Sequence, residues 1–165
     1  NKSIELTLLL SIPASLGLLI ASYEIVNGLF GYGSFSDEDV KNTSKALTFF
    51  GYGVVAFALV KILANFFFAR DNTKTPFYIS SFIVIMNVII SISFFKAVGF
   101  LIIPLATSIS TWMGVFIYLY LLNKQNFLLL KSKLILNSFK IITSTLIMSI
   151  TLLYLIKKYV IKMTR

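Results

Sequence analysis

Three groups of residues have types and spacings that could do chemistry. Lys61 stands in Val60-Lys61-Ile62-Leu63, a cation inside an apolar run about two turns ahead of Arg70. A lysine at the centre of a membrane helix costs about 2.5–3.5 kcal/mol, and less as its ammonium reaches an interface. Lys61 therefore either snorkels or faces a water-filled cavity that holds an anion. Asn87 and Ser91 form the second group, spaced i, i+4 so that their polar ends share one helix face, with Thr107, Ser108 and Ser110 offering oxygens further on. Neutral oxygens coordinate a cation weakly when no carboxylate joins them, and the same groups serve as hydrogen-bond partners between packed helices. The third group is the acidic cluster Asp37, Glu38 and Asp39, which has no basic or metal-binding companion and suits a solvated helix start.

The missing residue types narrow the field. His and Cys are both absent, which removes His acid/base catalysis, thiol nucleophiles, disulfides and the usual zinc sites. No glycine loop ending in Lys-Ser/Thr is present to cradle a nucleotide phosphate. The expectation is a protein that is not an enzyme and carries no resident cofactor or firm metal site.

The elements that must position these residues follow from composition. The 165 residues are 58% hydrophobic and 13% charged, against roughly a quarter charged in a soluble domain. So few charges cannot coat a core in water, and the outer surface must face lipid. The net charge of +9 does not point to nucleic acid, because the basic residues lie between long uncharged runs and act as topology signals.

Those runs predict a single all-α membrane domain over 1–165, a polytopic bundle with five spans at about 6–30, 46–69, 76–95, 98–122 and 134–156. About 20 residues cross a bilayer. The first run is not a signal peptide, since it lacks a basic start and a cleavage site and more spans follow. Asn1 and the abrupt start suit a piece of a longer protein. Pro13 and Pro104 fall inside spans and predict bends. Tyr118, Tyr120, Tyr154 and Tyr159 fall near span ends, as interfacial aromatics do.

Between the spans, Ser36 or Asp37 is placed to cap a helix, and Pro76 fits a first helical turn with Thr75 as its cap. The loop at Lys96-Ala97-Val98-Gly99 is short enough to force an antiparallel hairpin. Lys124, Lys131 and Lys133 surround apolar residues 127–130, a pattern for a segment on the membrane surface. Alternation puts Asn1, the Arg70 loop and the Lys124 loop on one side, which the positive-inside rule makes cytoplasmic. Lys157, Lys158, Lys162 and Arg165 fall on the other side, against that rule.

The order of motifs resembles a known family. It runs Leu10-Ser11-Ile12-Pro13-Ala14-Ser15-Leu16-Gly17-Leu18, then Gly31-Tyr32-Gly33-Ser34-Phe35 with Asp39, then Leu59-Val60-Lys61-Ile62-Leu63-Ala64. Phe68-Ala69-Arg70-Asp71-Asn72-Thr73-Lys74-Thr75-Pro76, Asn87 and Ala106-Thr107-Ser108 complete it. Over about 6–122 the chain resembles the MurJ (MviN) lipid II flippases of the multidrug/oligosaccharidyl-lipid/polysaccharide exporter superfamily. The loop is similar to the family's Ala-Arg-x-Asp-Thr-Arg-Thr-Pro, although Asp71 here precedes Asn72.

The resemblance implies roughly the ninth to thirteenth spans of a two-lobed, fourteen-span transporter in the bacterial inner membrane. It implies lipid II, or a similar polyprenyl-linked precursor, as substrate, with the N-terminal lobe of the same polypeptide as partner. Lys61 would lie near the cavity and Arg70 and Lys74 at its cytoplasmic mouth, within the loop motif Arg70, Asp71, Thr73, Thr75 and Pro76. Asn87, Ser91, the backbone of Ile103 and Thr107 would match a sodium site of some members, with Ser91 in place of a carboxylate. Sodium coupling, proton coupling and drive by the membrane potential all remain compatible with that set. Two other functions fit the residues: export of a different polyprenyl-linked sugar, and a non-transporting scaffold bundle.

Overall fold

The computed structural model of the chain describes residues 2–125 and 132–163, with side chains described over 2–125 and 139–158. The surface segment expected at 127–130, with Lys131, and the terminal Arg165 lie outside the described residues, as do the side chains of Lys133, Tyr159 and Lys162.

Every described element is helical. The apolar runs form α1 (Lys2–Phe30), α2 (Asp37–Gly51), α3 (Val54–Phe68), α4 (Lys74–Val98), α5 (Ile102–Lys124) and α6 (Ser132–Met163), with a short 3₁₀ turn at Gly99–Leu101 between α4 and α5. Four continuous stretches, Lys2–Phe30, Asp37–Phe68, Lys74–Lys124 and Phe139–Lys158, are long and apolar enough to cross a membrane. The third folds back on itself. Gly99 adopts φ 71°, ψ −152°, a region that a side chain would make costly. The Asn87–Thr107 hydrogen bond and the packing of Ile83 over Gly114 show α4 and α5 to be antiparallel. A Cβ at Gly114 would run into Ile83, so the small residue sets how closely the two helices approach.

α2 and α3 together run antiparallel to α1, linked by the Ser22–Thr48 hydroxyl pair at 2.8 Å and by Ile4 packing with Leu63 and Phe67. α5 lies between α3 and α4, and α6 packs on α1. The main core brings together Ile4, Leu63, Phe67, Ile79, Tyr118 and Leu122. The start of α1, the end of α3, the start of α4 and the end of α5 therefore meet at one end of the bundle. Val84, Val88 and Ile92 on α4, and Leu146, Ile150 and Tyr154 on α6, stay exposed, as helices facing hydrocarbon require.

The structure departs from the sequence reading at five places. Tyr118, expected among the interfacial aromatics, is fully buried in the main core, beside Phe67. The stretch 46–69 is not one helix: it divides at Tyr52–Gly53, and the helix of its first half begins at Asp37, behind the cap expected at Ser36. That start comes from Ser36, whose hydroxyl accepts the Asp39 N–H at 3.2 Å while Asp39 Oδ2 accepts the Ser36 N–H at 3.0 Å, a reciprocal cap. Pro104 lies in the first turn of α5, because the hairpin closes later than expected, and a missing N–H there breaks no bond. The non-helical residue in α1 is Ala21 (φ −106°, ψ 15°), not Pro13. Thr75 is already inside α4 and does not cap it.

Candidate functional site

The Arg70 turn is built by its own chain. The Phe67 carbonyl accepts the N–H groups of Arg70 at 3.0 Å and Asn72 at 3.1 Å, and the Phe68 carbonyl accepts that of Asp71 at 3.0 Å. This closes α3 with a left-handed residue, and Asp71 takes that position at φ 56°, where aspartate is tolerated better than most residues. Asn72 then starts α4: its Oδ1 accepts the Thr75 N–H at 3.1 Å and its Nδ2 donates to Thr75 Oγ1 at 3.0 Å. The cap expected from Thr75 is thus supplied by Asn72. Pro76 follows as the third residue of α4, buried. The result is a tight turn that leaves Arg70, Asp71, Thr73 and Lys74 exposed. Arg70 Nη1 donates to the Phe66 carbonyl at 3.2 Å, and Lys74 lines a cavity of about 330 Å³ with Thr73, Phe77 and Tyr78.

Lys61 is exposed on α3, while Ala56, Leu63 and Phe67 of the same helix are buried. It stands seven residues before α3 ends at Phe68, about 10 Å along the axis, and Arg70 lies in the turn beyond. No carboxylate of the described residues pairs with it.

The structure brings Asn87, Ser91, Ile103 and Thr107 into one hydrogen-bonded chain. Ser91 Oγ donates to Asn87 Oδ1 at 3.4 Å, Asn87 Nδ2 to Thr107 Oγ1 at 2.8 Å, and Thr107 Oγ1 to the Ile103 carbonyl at 2.8 Å. In this arrangement the cluster links α4 to α5. The Asn87 amide presents its N–H to Thr107 and its oxygen to Ser91.

One feature escaped the sequence reading. At the Tyr52–Gly53 break the Gly53 N–H bonds the Phe50 carbonyl at 2.8 Å, so the Phe49 carbonyl loses its usual helical donor four residues on. Ser108 Oγ donates to it at 2.7 Å, Ser15 Oγ donates to the Gly51 carbonyl at 2.7 Å, and Trp112 Nε1 donates to the Tyr52 carbonyl at 2.9 Å. α1 and α5 thereby satisfy the opened backbone near the middle of the 32-residue stretch Asp37–Phe68. A Cβ on Gly53 would fall 2.5 Å from Ser108 Oγ and 2.7 Å from Phe57 Cζ. The sequence signal was Gly51-Tyr52-Gly53 inside an apolar run.

A family profile described as "Lipid II flippase MurJ" matches residues 1–163. The chain belongs to the MurJ lipid II flippase family. A probable MurJ of Rickettsia prowazekii (strain Madrid E) is 35% identical over 159 residues, covering 96% of this chain and 31% of that protein. The lipid II flippase MurJ of Thermosipho africanus (strain TCF52B) is 33% identical over 122 residues, covering 74% of this chain and 25% of its own. A solved structure titled "Lipid II flippase MurJ, inward closed conformation" superimposes with TM-score 0.79 at 30% identity, covering 92% of this chain and 31% of that one. The chain therefore spans about a third of the length of its MurJ relatives, as a multi-pass helical membrane segment. In MurJ terms, the Arg70 turn, Lys61 and the α4–α5 cluster lie within the matched region.

Proposed function

We propose that this chain forms most of the C-terminal lobe of a lipid II flippase in the bacterial inner membrane. The whole protein would carry the polyprenyl-diphosphate-linked cell-wall precursor from the inner to the outer leaflet by alternating access, making and breaking no bond. A rocking of two helical lobes about the midplane is the general form such transport takes. The observation that carries the reading is the placement of cations: Arg70 and Lys74 at a turn locked at one end of the bundle, and Lys61 on α3, the helix that leads into that turn, about 10 Å before its end. A diphosphate moving from a cytoplasmic mouth into the membrane needs such a series of positive charges, because a charge in hydrocarbon without a partner is costly.

In the full-length transporter, Lys61→Ala is expected to lower rescue of cells depleted of their own lipid II flippase while leaving the amount of protein in the membrane unchanged. Undiminished rescue would reduce Lys61 to a snorkelling residue. For coupling, the neutral Asn87 cluster, with Ser91 where some members carry a carboxylate, suits drive by a proton or the membrane potential better than a resident sodium ion.

A further inference from the structure

Between Lys61 and Arg70, α3 carries one more polar side chain on an exposed position, Asn65, one helical turn from Lys61. With Ser3 of α1 it lines a cavity of about 240 Å³ whose other walls are Ile62, Phe66 and Ala69. Neither the Asn65 carboxamide nor the Ser3 hydroxyl is hydrogen-bonded within the described residues. The chemistry here is specific. The amide and the hydroxyl both donate and accept, they carry no charge, and the walls beside them are apolar. Such a lining suits a neutral group rich in hydroxyl and amide functions resting one face on carbon, as an N-acetylated sugar does, better than it suits a phosphate.

Position supports the same assignment. Asn65 is nearer the Arg70 mouth and Lys61 is deeper, separated by about 6 Å along the helix, comparable to the span of one sugar ring. A polyprenyl lipid entering from the aqueous side keeps its tail in the membrane, its diphosphate at intermediate depth and its saccharide towards water. We infer that Asn65 and Ser3 form a subsite for the first N-acetylated sugar of the transported lipid, while Lys61 meets its diphosphate. The inference rests on the transport reading above.

The test is a binding titration of the full-length protein with two probes: a short-chain polyprenyl diphosphate, and the same lipid bearing its N-acetylated disaccharide. Asn65→Ala should weaken the saccharide-bearing probe by about tenfold, the equivalent of about 1.4 kcal/mol, and leave the bare diphosphate within about twofold. Asn65→Gln, which keeps the amide, should recover part of the loss, and Ser3→Ala should show a smaller loss with the same selectivity. Lys61→Ala should weaken both probes. Equal effects of Asn65→Ala on the two probes, or none on either, would overturn the subsite and point to packing against another part of the polypeptide. If the unaltered protein binds neither probe, the transport reading itself fails, and the subsite with it.

Discussion

Two interruptions of helix, sixteen to twenty residues apart, are closed by opposite means. The Arg70 turn closes itself: Phe67, Phe68, Asp71, Asn72 and Thr75 satisfy one another within a few residues of chain. The Tyr52–Gly53 break is closed by donors from elsewhere, with Ser15 on α1 and Ser108 and Trp112 on α5. The contrast follows from the solvent. A turn at the water end can carry polar residues at no cost, so it keeps its own caps. A break at membrane depth has no water to bond its carbonyls and must take its donors from neighbouring helices. The first interruption is local and the second is tertiary.

The sharpest way to break this comparison is at Gly53. A side chain there meets Ser108 and Phe57, so Gly53→Leu is expected to destabilise by about 1–3 kcal/mol or more and to cut the yield of folded protein in detergent severalfold. The removed donors come next. Trp112→Phe leaves the Tyr52 carbonyl without its donor and is expected to cost about 1–3 kcal/mol, read as a lower thermal midpoint. Ser108→Ala should behave alike, and the pair should depart from additivity because both act on one break.

The Arg70 turn should yield smaller effects. Asn72→Ala removes the α4 cap, worth about 1 kcal/mol; Asn72→Asp should restore most of it, measured by the same thermal shift. A large loss from Asn72→Ala with little from Trp112→Phe would invert the comparison. The smallest effect is expected at the α4–α5 cluster. Exchanging sodium for choline should leave the thermal midpoint of the unaltered protein unchanged, whereas Ser91→Asp should introduce a dependence on sodium by adding the missing carboxylate. A sodium shift in the unaltered protein would mean that the neutral cluster holds the ion without a carboxylate.

The same contrast explains what was legible in the sequence. Lys61, Arg70 and Lys74 interrupt apolar runs, so charge alone places them, and Gly99 with its short loop announces the α4–α5 hairpin. Asn87, Ser91 and Thr107 share helix faces at turn spacing, which suffices to expect them together. Helix starts were less well placed: Ser36 resolves one cap, but Asn72 replaces Thr75 because Asp71 turns left-handed and shifts the entry into α4. The α2–α3 break carried only a faint signal. Gly51-Tyr52-Gly53 sits in a run apolar enough to read as one span, and its donors lie some 36 to 60 residues away. Only packing makes those serines and that tryptophan its partners.

The most direct measurement is of lipid II movement itself. The full-length protein that contains this chain is purified into vesicles with lipid II in the inner leaflet, and the lipid reaching the outer leaflet is counted under an imposed membrane potential. The account predicts translocation well above protein-free vesicles, strongly reduced by Lys61→Ala in equally well incorporated protein. Movement no faster than in protein-free vesicles would contradict the reading of this chain as a lobe of a lipid II flippase.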